Sequence, residues 1–357
     1  MRAEAPAEFT VLPWPSSAGG GSDLDTELGP VQENWSGPLL RCGALLGITV
    51  ICVAVLRRYI GGGVCHCSSR LDGRTVLITG ANSGIGKETA RDLAGRGARV
   101  VMACRDLTRA EQAAEEIRRG TGNGNVVIRH LDLASVYSVR QFAKDFVDSE
   151  DRLDVLINNA GVMMCPKWLT EDGFETQLAV NHLGHFLLTN MLLPMLKSSA
   201  PSRVVNVSSI AHHGGRIDFD DLFFSRKPYS PLDSYRQSKL ANILFTRELA
   251  HRVKGSGVSS FSVHPGIIRT ELVRHVMDWF PPLRLILKVP GLLLLKSPWQ
   301  GSQTTVFCAV TPGLEQRSGS YFSDCAEKDA SPEGRDDDVA RRLWEESARL
   351  VGLKDTC

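Results

Sequence analysis

A doubly wound α/β fold on a parallel sheet is what this sequence predicts, and three observations predict it. Short β-rich runs alternate with charged, amphipathic stretches from Leu71 to about Leu314, with no linker-like break. Those runs are almost uninterruptedly apolar, as strands covered on both faces must be. The first of them, Thr75–Thr79, leads directly into the glycine-rich turn Thr79-Gly80-Ala81-Asn82-Ser83-Gly84-Ile85-Gly86. A chain of 357 residues could hold one large domain or two medium ones. The unbroken alternation favours one.

After the turn a helix is expected from Lys87 to Arg96, ended by Gly97. Arg99 to Cys104 reads as the second strand, and Glu111 to Arg119 as a charged amphipathic helix closed by a Gly/Asn-rich turn. A third strand follows at Val126 to Leu131, a helix around Val139 to Val147, and a fourth strand at Leu153 to Ile157. Further strands are expected at Arg203 to Ser208 and Ser259 to His264, with a last short edge strand near Tyr321-Phe322 and a final helix from about Asp337 to Leu350. Right-handed crossovers between such strands give a Rossmann-type sheet, whose ligands bind outside the carboxyl ends of the strands.

Composition narrows the function. Lys plus Arg number 41 and Asp plus Glu 40, so no charge excess draws nucleic acid. Nine cysteines lie scattered without framework spacing and read as reduced, mostly buried thiols. Cys65-His66-Cys67 has the wrong spacing for a zinc knuckle and no second ligand pair follows it, so no metal site is expected.

The first seventy residues stand apart. Residues 1–37 are rich in Pro, Gly, Ser and acidic residues, which reads as a disordered extension. Residues 38–58 then contain an uncharged run from Cys42 to Leu56, short for a full span of about 20 residues. With Arg41 snorkelling, it reads as a membrane anchor; the alternative is a core helix. The glycine-rich chain after Ile60 would leave such a helix detached from the domain at 71–350. Arg57, Arg58 and Arg70 follow the span while the preceding segment is acidic, which places the body on the cytoplasmic side. The sequon Asn34-Trp35-Ser36 would then face the lumen.

Two motifs carry chemistry. In the turn, Gly80, Gly84 and Gly86 follow G-x-x-x-G-x-G, not the dinucleotide fingerprint G-x-G-x-x-G. The physics is the same: a tight turn and close approach of a pyrophosphate to a helix N-terminus. At the end of the second strand Cys104-Arg105 stands where an acidic residue would select NAD, and Arg105 could pair with the 2′-phosphate of NADP. Asp106 beside it, and a solvated turn role for Arg105, remain open. The second motif, Tyr235-Arg236-Gln237-Ser238-Lys239, sets a phenol and an ammonium four residues apart on one helix face. A free tyrosine has a pKa near 10, and a neighbouring cation favours phenolate. Together the motifs point to hydride transfer between a nicotinamide dinucleotide and a carbonyl or alcohol.

With Asn158-Asn159-Ala160-Gly161, Val207-Ser208-Ser209 and His264-Pro265-Gly266 added, the chain from about Gly73 to Gly266 resembles the short-chain dehydrogenase/reductases. Further stretches resemble the retinol dehydrogenase branch, its membrane-bound members numbered eleven to fourteen, the twelfth above all. These are Ala160 to Pro166, Glu171-Asp172-Gly173-Phe174-Glu175, Val180 to Thr189, Ser238 to Asn242 and Leu272 to His275. The resemblance implies NADP(H)-dependent interconversion of retinal and retinol, with reduction favoured. It implies that Tyr235 exchanges the proton, Lys239 steadies its charge, Ser209 holds the substrate oxygen, and Asn181 kinks its helix and holds a water linked to Lys239. Gly80, Ser83, Gly84, Ile85 and Gly86 would cradle the cofactor. Asp132 would meet the adenine amino group, Asn158 and Gly161 would shape the neighbouring loop, and Pro265, Gly266 and Thr270 would border the nicotinamide carboxamide and diphosphate. His212 and His213 fall near the serine and read as a cleft-rim or solvated pair, without an assigned role.

About 270–300 the family builds its substrate lid. Here Pro290-Gly291 divides the apolar stretch Trp279 to Lys296 into two pieces, each too short to span a bilayer. It reads either as a segment dipping into lipid or as a lid packed on the core or at a homodimer interface. The expected partners are a lipophilic carbonyl or alcohol and membrane lipid; the expected place is the endoplasmic reticulum membrane, with mitochondria as the alternative. Two other readings stay open: a broad NADPH-dependent reductase of lipid aldehydes or steroid ketones, and a non-catalytic nucleotide-binding scaffold. The scaffold has no need of Ser209, Tyr235 and Lys239 together.

Overall fold

The computed structural model describes residues 36–268 and 295–353. Its strands are β1 (Thr75–Thr79), β2 (Arg99–Cys104), β3 (Val126–His130), β4 (Val155–Asn158), β5 (Ser202–Val207), β6 (Val258–His264), β7 (Tyr321–Ser323) and β8 (Ala326–Lys328). They form one sheet in the order β3-β2-β1-β4-β5-β6-β7-β8. All neighbours run parallel except β7 and β8. Val76 pairs with Val100 on one side and Val155 on the other, so β1 is central and fully buried.

Helices cover both faces. On one lie α2 (Gly84–Gly95), α3 (Leu107–Thr121) and α8 (Pro298–Val310), packed through Leu93, Ile117 and Val306 on Val76, Ile78 and Val100. On the other lie α4 (Val136–Ser149), α6 (Gly184–Ser198), α7 (Pro231–Arg252) and α9 (Asp337–Leu350), packed through Phe146, Phe186, Leu244 and Trp344 on Leu77, Val101 and Leu156. The alternation Val76, Leu77, Ile78 thus feeds two cores from one strand, the period-two geometry of a covered sheet.

Three readings of the sequence need correction. Tyr321-Phe322 does form a strand, but it is not the edge: β8 pairs antiparallel beyond it. Ala326-Glu327-Lys328 is too short and too charged to show β patterning. Helix α8 was hidden because its residues are buried nearly all round and carry little 3.6-residue period. Its start was still legible as a capping box, with Ser297 and Gln300 exchanging bonds and Pro298 at the first turn. Finally, none of the described cysteines is in a disulfide; Cys104, Cys165 and Cys308 are buried, Cys65, Cys67 and Cys325 half-buried and Cys52 exposed, so fewer than half of them are the buried thiols expected.

The chain divides into Met1–Val50 and Ile51–Cys357. In the first, the described residues belong to helix α1 (Ser36–Gly61), which runs on into the second. Among the described residues one helix, Gly43–Gly61, is long and apolar enough to cross a membrane. Within the second unit the segment after α1 lies on the body and does not hang free of it. The Cys65 N–H donates to Gln303 Oε1 at 3.2 Å, and the Arg96 guanidinium donates to the Cys67 and Ser69 carbonyls at 2.7 and 3.1 Å. Gly62 and Gly63 pass Asp324 so closely that a Cβ on either would lie 2.0 Å from it. The glycines that suggested a loose tether are there for close contact.

Candidate active site

The site forms at the carboxyl ends of β1, β4, β5 and β6. β1 delivers the glycine turn, where Gly80 at φ +65° and Gly84 at φ +55° take left-handed backbone that glycine tolerates. A Cβ on Gly86 would lie 2.4 Å from the Gly80 carbonyl and 2.5 Å from Asn159 Nδ2, so the cradle admits no side chain there. Ser83 precedes α2 without a side-chain capping bond, which leaves the helix's first N–H groups available to an anion. The turn is braced from β4. The Asn159 amide donates to the Thr79 and Gly80 carbonyls at 2.8 and 3.2 Å, and Thr79 Oγ1 accepts from the Asn159 and Ala160 N–H groups.

That bracing shifts one assignment. Asn158, expected to shape the cofactor loop, is buried within β4. Its amide donates to Thr189 Oγ1 at 2.9 Å and Asn206 Oδ1 at 2.7 Å. It acts on the loop only through the sheet, while neighbouring Asn159, not singled out from the sequence, holds it directly. Gly161 keeps its place: a Cβ there would stand 3.2 Å from Asn181 Oδ1 and 3.6 Å from Lys239 Nζ.

At the end of β2 Arg105 is exposed, while the Asp106 carboxylate caps α3 by accepting from the Arg109 N–H at 3.0 Å. Asp106 is thus engaged by its own helix. Asp132, just after β3, is half-buried and its carboxylate accepts from the Ala134 N–H at 2.9 Å.

Ser209 follows β5 and opens the 3-10 turn Ile210–Gly214. Tyr235 and Lys239 project from α7, 6% and 4% exposed. Ser209 lies beside the Tyr235 phenol and lowers its proton affinity, and Lys239 Nζ lies 5.7 Å from the phenol ring centre and donates to the Val207 carbonyl at 3.1 Å. The three groups expected to act together are therefore together. Their electrostatics differ from expectation. Burial pushes the Tyr235 phenol up to about 12, which neighbouring Ser209 only partly offsets, and pulls the Lys239 amine down to about 8. Desolvation thus outweighs the pull of the neighbouring ammonium, and the phenol holds its proton.

Asn181 sits in the π-helical turn Ala179–Leu183, between the short α5 (Thr176–Leu178) and α6, so its helix is indeed interrupted. Its side chain is engaged with Val162 N–H and C=O and with Ser238 Oγ, at 2.8, 2.9 and 2.9 Å. Pro265 and Gly266 follow β6, with Gly266 at φ +94° and packed so closely on Lys296 that a Cβ would lie 2.6 Å from its Cδ. Thr270 and most of the lid region lie outside the described residues.

Two histidines to which the sequence assigns no role support this edge. His212 is fully buried; its Nε2 accepts from the Ser331 N–H at 3.1 Å, so its Nδ1 carries the proton and donates to the Ser209 carbonyl at 2.7 Å. Only His213 is the exposed residue expected of that pair. His264 Nδ1 accepts from the Ile210 and Gly266 N–H groups at 3.2 and 3.4 Å, tying the serine turn to the glycine after β6. Burial pulls both imidazoles down to about 4, which keeps them neutral at physiological pH. No sequence signal separates such a brace from a solvated histidine.

A family model described as short chain dehydrogenase matches residues 74–280. Retinol dehydrogenase 13 of Homo sapiens is 51% identical over 318 residues, which cover 89% of this chain and 95% of that protein. Retinol dehydrogenase 12 of Homo sapiens is 54% identical over 305 residues, covering 84% of this chain and 93% of that protein. Among solved structures, RhlG of Pseudomonas aeruginosa in complex with NADP is 26% identical with a TM-score of 0.57, covering 71% of this chain and 95% of that one.

Proposed function

Because the chain belongs to the short chain dehydrogenase family, we propose that it is a membrane-bound, NADP(H)-dependent oxidoreductase that interconverts retinal and retinol, with reduction favoured. The observation that carries this reading is the joining of Ser209, Tyr235 and Lys239 beside a glycine cradle. The cradle fits a dinucleotide: its turn excludes side chains, and the first N–H groups of α2 lack a side-chain cap. Gly80, Ser83, Gly84, Ile85 and Gly86 would hold the pyrophosphate, Arg105 the 2′-phosphate, and Asp132 the adenine. The relatives' name, retinol dehydrogenase, supports the substrate class, and the NADP complex of RhlG supports the cofactor.

Bound nicotinamide supplies the hydride. The chain's own residues manage the carbonyl oxygen. Ser209 donates a hydrogen bond to it and fixes its place. Tyr235 gives the oxygen its proton as negative charge develops there. A phenol kept protonated by burial enters the reduction with that proton in place. Lys239 stands behind the phenol as the cation that accommodates the charge left on it.

Helix α1 supports the membrane part of the reading. Leu45, Ile48, Ile51 and Val55 are 58–65% exposed on it, and a helix apolar all round calls for lipid. Arg57 and Arg58 at its end favour a cytoplasmic body on the endoplasmic reticulum, mitochondria being the alternative. Exposed Ile210 and Ile267 flank the site and favour a lipophilic substrate without reading a polyene, so a broad reductase of lipid aldehydes or steroid ketones is the second reading.

The test is steady-state turnover of all-trans-retinal, a medium-chain aldehyde and a steroid ketone by the detergent-solubilised full chain, each with NADPH and NADH. Retinal with NADPH should be preferred, and Tyr235→Phe should lower kcat about 10²- to 10⁴-fold with coenzyme still bound. A Tyr235→Phe protein as fast as the parent would overturn the mechanism; coenzyme binding without any turnover would favour the scaffold.

A further inference from the structure

We infer that Glu175 is a positioning residue for the reaction: with Asn181 it clasps one row of α7 and so fixes the neighbouring row, Tyr235 and Lys239, at the site. The inference rests on the oxidoreductase reading and goes beyond it, because Glu175 lies outside the set that handles the carbonyl oxygen.

Glu175 is a carboxylate with no exposed surface. Burying such a charge is costly unless donors surround it. Four do. Oε1 accepts from the Gln177 N–H at 3.0 Å and lies 3.1 Å from the Tyr229 hydroxyl, whose proton it shares with the Cys165 carbonyl. Oε2 accepts from the Leu178 N–H at 2.9 Å and from Ser234 Oγ at 2.7 Å. The two N–H groups belong to the start of α5, so the carboxylate anchors the segment that leads into the π-helical turn.

Ser234 is the side that matters for function. Ser234 and Ser238 stand one turn apart on α7, and Tyr235 and Lys239 form the adjacent row. Ser234 is held by Glu175, and Ser238 Oγ accepts from Asn181 Nδ2 at 2.9 Å. Glu175 and Asn181 lie at the two ends of one segment, which therefore grips α7 at both turns that carry the acting residues. The same Asn181 amide bonds both polar groups of the Val162 backbone, beside Gly161. The cofactor-side loop, the π-helical turn and the phenol-bearing helix are thereby one unit. A bond lost at Ser234 frees the first turn of α7 to rotate, and the phenol with it.

A glutamine cannot replace this carboxylate. Each oxygen accepts at least one N–H, so an amide would turn its own N–H₂ towards a backbone donor at one end. The test uses the full-length protein in detergent, with folded sites counted by NADPH titration. Per site, Glu175→Gln should lower kcat about 10- to 100-fold and Ser234→Ala about 3- to 10-fold, the scale of a small misplacement of a reacting group. Coenzyme affinity and KM for all-trans-retinal should stay within about threefold, and Ser234→Thr, which keeps the hydroxyl, should restore the parent kcat. A purely structural group would lower the melting temperature and the number of sites but leave kcat per site unchanged. That result in Ser234→Ala and in Glu175→Gln would overturn the inference, and Ser234→Ala alone decides if Glu175→Gln fails to fold. A parent protein that turns nothing over would instead sink the oxidoreductase reading and the positioning role with it.

Discussion

Replacing Lys239 by Met should stabilise this protein while abolishing its turnover. The amine is almost fully buried, and burial alone pulls it from its ordinary 10.5 down to about 8. At 1.36 kcal/mol per pKa unit, keeping it charged in the folded chain at pH 7 costs about 3 kcal/mol. Methionine fills much of the same unbranched volume without a charge. It forfeits the charge-assisted bond to the Val207 carbonyl, worth about 1.5–3 kcal/mol, but that carbonyl still accepts from Asn242 Nδ2. The variant should therefore gain about 0.5–2 kcal/mol at pH 7. The sign with pH follows from proton counts. Below about 8 both states of the parent hold the proton and the whole cost is present; between about 8 and 10.5 the unfolded chain holds more protons, so the parent gains stability as pH rises. Tyr235 titrates higher and is common to both proteins, so it drops out of the difference. Urea unfolding at pH 7, 8, 9 and 10 in one detergent measures the gap, which should shrink steadily across that window. A variant less stable than the parent at pH 7, or a gap indifferent to pH, would refute the burial argument. Turnover above about a hundredth of the parent's would refute the role of the cation beside the phenol.

Other outcomes follow from the cofactor end and the anchor. Arg105→Ala should weaken NADPH binding about 10- to 100-fold, the worth of a charge-assisted bond, and leave NADH nearly unchanged; equal loss for both, measured by fluorescence titration, would remove Arg105 from the 2′-phosphate. Protease added to intact microsomes carrying the full chain should degrade the body and spare the anchor, and a protected body would reverse the topology.

Much of this architecture was legible because it rests on local signals. The apolar runs at Thr75–Thr79 and Arg99–Cys104 show as strands since both faces of a parallel sheet are covered. The glycine turn shows because Gly80 and Gly84 need left-handed backbone and Gly86 has no room for a Cβ. Tyr235 and Lys239 share a helix face by spacing alone. What stayed hidden depends on distant partners. Asn159 and Asn158 are adjacent identical residues, and only the packing of β4 against β1 and β5 decides that one braces the turn and the other lies in the core. His212 and His213 divide the same way, one buried against Ser331, the other in solvent.

Sequence by itself determined the doubly wound sheet, the phosphate cradle and the row of α7 that bears the phenol and amine, because each is written in spacing, glycine placement or apolar period within a few residues. Tertiary structure alone decided the state of those groups. Burial raises the phenol and lowers the amine, and Glu175 reaches across 59 residues to hold Ser234. Desolvation and hydrogen-bond closure are properties of the folded environment, set by whatever chain arrives from elsewhere, and no local pattern records them.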